Sequence, residues 1–245
     1  MYNKVGYHLV DHCNLNCAGC NHFSPLAKQR FASLEKFEKN IEHLSNLIDI
    51  NQLNLVGGEP LLNPQIEEFI KISRKYVHGV INIITNGILL EKMPKTFFNT
   101  VNENDVRILI SDYGLNVKGL KLLDKSKFKV KYISDVNDKS SFKCPFFLDR
   151  RCLFLSEEGL LYKCCVIGNI HNYERVYNKN YPLIINSDYI NIYSNFNKST
   201  LLKFLISTAH FCGYCREGEL LAWKQFSNND WSSNENLDNN SNVEC

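Results

Sequence analysis

The chain has 245 residues, of which 44% are hydrophobic and 22% charged, and its formal net charge is +2. This composition is typical of a globular protein with one good core and room for a small additional part. The weak charge, without a basic block, argues against nucleic acid and anionic membranes as partners, and no apolar run is long enough to span a bilayer. The N-terminus does not follow the signal-peptide pattern, so we expect a soluble cytoplasmic protein.

The first 134 residues alternate between short apolar stretches and longer segments with helical periodicity. Such alternation predicts parallel strands joined by right-handed helical crossovers, an α/β fold. Ser33 is the predicted N-cap of the first helix, and Asn63 and Pro64 are predicted to start the second. Strands are predicted over 5–10, 52–56, 80–84, 106–110 and 129–133, and helices over 34–48, from 63 onward, 94–101 and 117–125.

After residue 134 this pattern changes. Two short apolar stretches, 153–156 and 160–163, flank Glu157-Glu158-Gly159 and predict a β-hairpin. Residues 166–197 show no firm period, and a short helix is predicted over 199–208. We therefore predict three parts: a barrel over 1–134, a small domain over 135–226, and a polar, mobile tail over 227–245.

Three of the ten cysteines, Cys13, Cys17 and Cys20, lie within eight residues directly after the first predicted strand. The loop is too short to bury three thiols separately, but it can bring three thiolates to one metal centre. The missing export signal favours metal binding over disulfides. Three protein ligands would leave one iron of a four-iron cluster open to a small molecule, whereas a structural zinc site takes four ligands.

Polar residues follow the next three strands, where active sites of parallel sheets and barrels lie. Gly57-Gly58-Glu59-Pro60 ends the second strand, Asn86 follows the third within Thr85-Asn86-Gly87, and Ser111 follows the fourth. Two glycines allow a ligand to approach the backbone closely. The alternative interpretation is a strand-to-helix turn with a capping carboxylate at Glu59, and a simple turn at Asn86.

Together, the Cys-x3-Cys-x2-Cys loop and the GGEP and TNG motifs resemble the radical S-adenosylmethionine (SAM) superfamily. The resemblance implies a partial (β/α) TIM-type barrel of five to six parallel strands. It also implies a [4Fe-4S] cluster on Cys13, Cys17 and Cys20 whose open iron binds SAM. Contacts to SAM are expected from Gly57, Gly58, Glu59, Pro60, Asn86 and Ser111. In many members an aromatic residue precedes the third cysteine. Here Gly19 takes that place, so Phe23 or a residue elsewhere would contact the adenine.

A second group of cysteines resembles the small twitch and SPASM accessory domains of radical SAM enzymes, which begin with a hairpin between two cysteines. The resemblance implies an auxiliary [4Fe-4S] cluster with all irons protein-bound, and the few later cysteines favour the single-cluster twitch arrangement. Its ligands would be Cys144, Cys164, Cys212 and Cys215. Cys152 is the alternative to Cys144, and Cys165 to Cys164. A zinc site made by the same four cysteines is the remaining interpretation.

The function implied is reductive cleavage of SAM to a 5′-deoxyadenosyl radical and abstraction of a hydrogen atom from a small polar substrate. In size and layout the chain is similar to small twitch-domain dehydrogenases, such as the one acting on 2-deoxy-scyllo-inosamine, and a net oxidation is expected. The substrate would be a sugar, an aminocyclitol or a similar molecule, and a flavodoxin- or ferredoxin-like protein would donate the electron. Because the first strand starts almost at Met1, no N-terminal peptide-recognition domain is expected.

Three other functions remain open at this point. An epimerase would need a hydrogen-atom donor opposite the radical, for which Cys152 or Cys165 is the candidate. A peptide-modifying enzyme would share the same barrel. A non-catalytic zinc or redox-sensing protein would explain the cysteines, but it gives no reason for GGEP and TNG at successive strand ends.

Overall fold

A seven-stranded sheet forms the centre of the computed structural model, which describes residues 3–17, 20–111 and 152–214. Its order is β4-β3-β2-β1-β5-β6-β7, in which β4 to β5 run parallel and β6 and β7 are antiparallel. The strands are β1 (Lys4–Val10), β2 (Gln52–Gly57), β3 (Val80–Thr85), β4 (Val106–Ile110), β5 (Cys152–Leu155), β6 (Leu160–Tyr162) and β7 (Tyr189–Asn191). The predicted α/β class with parallel strands is confirmed.

In the described part of the chain five α-helices accompany the sheet: α1 (Leu34–Leu47), α2 (Ile66–Tyr76), α3 (Lys95–Glu103), α4 (Cys165–Tyr177) and α5 (Lys198–Ile206). The first three connect β1 to β4 in the predicted crossover pattern. Ser33 caps α1 as predicted, because its side chain accepts a hydrogen bond from the backbone N–H of Lys36. No helix in the described ranges is both long and apolar enough to cross a lipid bilayer.

The two faces of the parallel strands differ in chemistry because successive side chains point to opposite sides. Odd-numbered residues of β2 and β3, such as Leu53, Leu55 and Ile81, are fully buried and pack with α1 and α2. The rings of Phe37 and Phe69 lie 5.0 Å apart within this core. The opposite face, which carries Asn54 and other polar residues, is called the inner face below.

Helix α2 begins at Ile66, two residues later than predicted. Asn63 nevertheless makes the hydrogen bond expected of an N-cap residue, because its Oδ1 accepts from the N–H of Gln65 over 2.9 Å. Its Nδ2 donates to the carbonyl of Leu9 over 2.9 Å, which ties this turn to β1. The N–H of Ile66 donates to the carbonyl of Asn63 over 3.2 Å, so residues 64–65 form a turn ahead of the helix.

Helix α4 was not predicted, because its buried side includes Asn169 and Asn172 and so shows no clear apolar stripe. Gly168 also lowers its helix propensity. A Cβ at that position would lie 2.1 Å from the Phe154 ring, so the close packing of α4 on β5 depends on this glycine.

The predicted hairpin is confirmed, since β5 and β6 pair antiparallel. However, β5 also pairs parallel with β1, so the hairpin continues the main sheet, and Leu155, Leu161 and Phe204 share the main hydrophobic core. The predicted helix 117–125, strand 129–133 and tail 227–245 lie outside the described residues. The division into 1–134 and 135–226 stays a prediction.

Candidate active site

The cysteine loop packs directly on the GGEP turn. The N–H of Gly58 donates to the carbonyl of Val10 over 2.8 Å, and the N–H of Glu59 donates to that of His12 over 3.1 Å. A Cβ on Gly58 would lie 2.0 Å from the His12 oxygen and 2.8 Å from the Cys13 nitrogen. This glycine therefore makes room for the backbone of the cysteine loop. The expected contact of Gly57 and Gly58 with a ligand stays a prediction.

Glu59 is fully buried and joins the second strand end to the third. Its carboxylate accepts hydrogen bonds from the N–H of Leu61 (3.0 Å), the hydroxyl of Thr85 (2.6 Å) and the N–H of Asn86 (2.9 Å). Burial raises the pKa of Glu59 to about 7, although the three donors act in the opposite direction. The hydrogen bond from the Leu61 N–H is the capping role that the sequence analysis gave as the alternative for Glu59. A contact with SAM stays a prediction.

Asn86 joins the third strand end to the cysteine loop. Its Nδ2 lies 2.7 Å from Asn14 Oδ1 and 3.8 Å from Cys13 Sγ, while its Oδ1 accepts from the N–H of Ile88 over 3.0 Å. The N–H of Ser111, at the end of β4, donates to the carbonyl of Thr85 over 2.9 Å. The predicted motifs thus meet at one edge of the sheet, as parallel strands require.

The three thiols of the loop influence one another. Burial raises the pKa of Cys13 to about 12; the Leu15 N–H acts in the opposite direction, while nearby Glu59, Cys20 and Cys17 raise the pKa further. Burial also raises the pKa of Cys20. Within the described ranges, no three Cys, His, Asp or Glu side chains are arranged to hold a metal ion.

This donor set fits an iron–sulfur cluster on chemical grounds. Neighbouring buried thiols can all become thiolates only if positive charge offsets their repulsion, and the irons of a cluster provide that charge. Cys13, Cys17 and Cys20 would be the ligands.

A polar network that sequence reasoning missed lies below this loop. His8 is 3% exposed, and its Nε2 lies 2.5 Å from His22 Nδ1, while its Nδ1 lies 3.2 Å from Asp11 Oδ1. Arg30 donates two hydrogen bonds to Asp11, at 2.6 and 2.8 Å, and a third to Glu157 in the β5–β6 turn. The only signal in the sequence was a histidine within a buried apolar strand.

Burial and hydrogen bonding shift the pKa values of Asp11 and His8 in this network. Burial alone would raise the pKa of Asp11, but its hydrogen bonds to His8 and Arg30 outweigh burial and hold that pKa well below its usual range. Burial lowers the pKa of His8, although Asp11 opposes the shift. The network therefore fixes the segment that leads into the cysteine loop.

Cysteines of the C-terminal part occupy two kinds of environment. Cys164 and Cys212 pack against one small apolar cluster that also contacts Cys20. Cys165 Sγ accepts from Asn21 Nδ2 over 3.1 Å, and Cys152 Sγ lies 3.7 Å from Asn54 Nδ2 on the inner face. Cys144 and Cys215 lie outside the described residues, so the four-cysteine ligand set stays a prediction.

Comparison with known proteins agrees with this geometry. Residues 7–127 match the family model described as "Radical SAM superfamily". The chain is 32% identical over 125 residues to GTP 3',8-cyclase of Aquifex aeolicus, covering 48% of this chain and 38% of that protein. It is 27% identical over 162 residues to GTP 3',8-cyclase of Synechocystis sp., covering 57% of this chain and 48% of the relative. The chain thus spans less than half the length of each of these two relatives.

The fold is similar to that of a solved radical SAM enzyme. The structure titled "Crystal structure of BtrN in complex with AdoMet and 2-DOIA" superposes with a TM-score of 0.56 at 17% identity, covering 86% of this chain and 89% of that one. BtrN in an open conformation gives a TM-score of 0.50 at 18% identity. This similarity concerns the fold, a partial TIM-type barrel. The match thus identifies a Radical SAM domain over residues 7–127 of the chain.

Proposed function

We propose that this radical SAM enzyme oxidises a small polar molecule. The observation that carries the proposal is the junction at the sheet edge, where Glu59 and Asn86 fasten the GGEP and TNG turns to the cysteine loop. A site held by buried hydrogen bonds presents its ligands in one fixed arrangement. The BtrN structure contains AdoMet and 2-DOIA, and the curated relatives are GTP cyclases, so small polar substrates fit both comparisons.

Each motif has a proposed role in this reaction. Cys13, Cys17 and Cys20 would hold the first [4Fe-4S] cluster. When bound, the cluster supplies the electron that cleaves SAM to a 5′-deoxyadenosyl radical, which removes a hydrogen atom from the substrate. The GGEP turn from Gly57 to Pro60, together with Asn86 and Ser111, would orient SAM at the strand ends. A flavodoxin- or ferredoxin-like protein would deliver the electron.

The oxidation needs an acceptor for the electron of the substrate radical. We assign this role to an auxiliary [4Fe-4S] cluster in a twitch-like part over 135–226, held by Cys144, Cys164, Cys212 and Cys215. The support is that Cys164 and Cys212 border the same apolar cluster as Cys20. Both clusters would then lie near that apolar cluster, a favourable position for electron transfer.

Epimerisation is the second candidate, and the position of Cys165 favours it. This thiol lies beside Asn21, next to the cysteine loop, whereas Cys152 Sγ lies 3.7 Å from Asn54 Nδ2, further from that loop along the sheet. Of the two candidate hydrogen-atom donors, Cys165 is therefore the better placed.

One experiment separates the two reactions. Anaerobically reconstituted protein is incubated with SAM, a reductant and the substrate in deuterated water, and the product is analysed by mass spectrometry. Oxidation forms 5′-deoxyadenosine and a product two hydrogens lighter, with no deuterium at the attacked carbon. A product of unchanged composition that carries one deuterium at that carbon would contradict oxidation and favour epimerisation, and its loss in Cys165→Ala would identify the donor. If no 5′-deoxyadenosine forms, both candidates are wrong.

A further inference from the structure

The inner face of the parallel strands contains a row of polar residues halfway along the sheet. In the strand register Gly6 of β1 is aligned with Asn54 of β2, Asn54 with Asn82 of β3, and Asn82 with Arg107 of β4. Aligned residues of neighbouring strands project to the same side. Asn54 and Asn82 are 1% and 3% exposed, so two amides lie inside the protein, where apolar residues would be the usual choice.

Hydrogen bonds organise this row around Asn54. Asn54 Oδ1 accepts from Asn82 Nδ2 over 2.8 Å and from Gln52 Nε2 over 2.9 Å. Asn54 Nδ2 points to Cys152 Sγ at 3.7 Å. The acceptor capacity of Asn54 Oδ1 is thereby filled, and its orientation is fixed from both sides.

Asn82 is different, because its Oδ1 is buried and accepts no hydrogen bond. An unsatisfied buried acceptor lowers the stability of the folded protein. Rotating the amide would not remove the problem, because Oδ1 would then face the oxygen of Asn54. The position therefore keeps an unsatisfied acceptor on the inner face at a cost to the folded protein, which is typical of a functional site.

We propose that Asn82 Oδ1 accepts a hydrogen bond from a hydroxyl group of the substrate, and that Asn54 is a positioning residue that holds the Asn82 amide. This inference rests on the proposed function and deepens it, because it assigns the substrate to the polyhydroxylated small molecules. A site that pairs a substrate hydroxyl with a buried acceptor discriminates strongly against molecules that lack the hydroxyl.

The neighbours of Asn54 and Asn82 narrow the class of substrate further. Arg107 is half-buried and stands next to Asn82 in the register, so a positive charge on that part of the substrate would be repelled. A neutral or anionic polyol therefore fits better than one with an ammonium group at this position.

The test uses the full-length holoenzyme with SAM and a reductant under anaerobic conditions. The rate of 5′-deoxyadenosine formation is measured against the concentration of myo-inositol, glucose and glucose 6-phosphate, with glucosamine as the cationic comparison. The variant is Asn82→Leu, which has nearly the same shape. The control is Asn40→Leu, because Asn40 is equally buried but lies outside this row. Its side-chain amide forms hydrogen bonds with Ser156, Glu157 and Tyr193.

We expect neutral or anionic polyols to stimulate the wild-type enzyme at lower concentration than glucosamine does. Asn82→Leu should raise the half-stimulating concentration about 3- to 10-fold, because one neutral hydrogen bond to the substrate is lost. Asn40→Leu should leave that concentration unchanged. The melting temperature gives a second readout. Asn82→Leu should keep or raise it, because an unsatisfied acceptor is removed, whereas Asn40→Leu should lower it.

Three results would overturn the inference: no compound of the panel stimulates the enzyme, both variants respond like the wild type, or Asn82→Leu lowers the melting temperature without changing the response. If the wild-type enzyme still cleaves SAM in these cases, the proposed SAM cleavage stands and only the substrate inference is overturned. Absence of SAM cleavage by the wild-type enzyme would instead contradict the proposed function. If Asn82→Leu does not fold, Asn82→Ala is measured against the same control.

Discussion

Glu59 Oε1 accepts a hydrogen bond of 2.6 Å from Thr85 Oγ1, inside the protein and between the ends of two neighbouring strands. The other oxygen of the same carboxylate accepts from the N–H of Asn86, whose side chain reaches the cysteine loop. One side chain thus sets the relative position of three loops.

The first prediction concerns pH. The pKa of Glu59 is raised from 4.5 in the unfolded chain to about 7 in the folded one. Its contribution to stability is therefore fully present below pH 4.5 and is lost as the pH rises through 7. In urea unfolding of the apoprotein, the free energy of unfolding of the wild type should fall by up to about 3 kcal/mol relative to that of Glu59→Gln between pH 4.5 and 8. Parallel pH profiles would mean that Glu59 does not titrate in this way.

The second prediction separates binding from stability at the same residue. Glu59→Ala leaves the Leu61 and Asn86 N–H groups and the Thr85 hydroxyl without their acceptor, so the free energy of unfolding should fall by about 1–3 kcal/mol or more. SAM affinity should fall as well, because the strand ends lose their connection and the proposed contact is removed. Calorimetric titration of SAM into the reconstituted variant measures this. Unchanged affinity would contradict the assignment of GGEP to SAM binding.

The third prediction concerns packing at Gly58. In Gly58→Ala the new Cβ would collide with backbone atoms of His12 and Cys13, which cannot rotate away. The cysteine loop must therefore shift, and we expect the iron content after reconstitution and the melting temperature both to fall. Gly213→Ala is the matched control, because a Cβ there meets nothing within 4 Å. Normal iron content and stability in Gly58→Ala would refute the described contact.

The fourth prediction concerns the first cluster. Replacing Cys13, Cys17 and Cys20 with Ala should abolish SAM cleavage but leave a second cluster visible by electron paramagnetic resonance. The reason is that the two groups of cysteines belong to separate segments of the chain. A folded triple variant without any iron would show that the second site does not hold a cluster.

The fifth prediction concerns the ligands of the auxiliary cluster. Single Ala variants of Cys144, Cys164, Cys212 and Cys215 should each lose about half of the iron. Cys152→Ala and Cys165→Ala should keep it, because these two thiols contact Asn54 and Asn21 in other parts of the structure. Loss of the cluster in Cys152→Ala but not in Cys144→Ala would place the first ligand at the start of the hairpin.

Strand positions and their polar ends were predictable from the sequence, because burial on both sides of a parallel strand leaves a visible apolar run. The Ser33 cap was predictable for a similar local reason. The hydrogen bond from Asn63 to the Leu9 carbonyl was not predictable from local patterns, because the two residues lie 54 positions apart. Asn169 and Asn172 obscure α4, since buried polar residues remove the apolar periodicity.

The site was predictable as a set of motifs but not as a set of contacts. The sequence places Glu59 and Asn86 at strand ends, yet only the folded chain shows that they bind each other and the cysteine loop. The His8–Asp11–Arg30 network leaves only a histidine within a buried strand as its sequence signal, and the unsatisfied oxygen of Asn82 leaves none.

The bridge made by Arg30 has a consequence for the order of folding. Arg30 binds Asp11, two residues before Cys13, and also Glu157, which is 127 residues further along the chain. Contacts of such separation form late, after the intervening chain has closed its loops. The cysteine loop would therefore reach its final shape only when the β5–β6 hairpin docks, which delays insertion of the first cluster until the C-terminal part is folded.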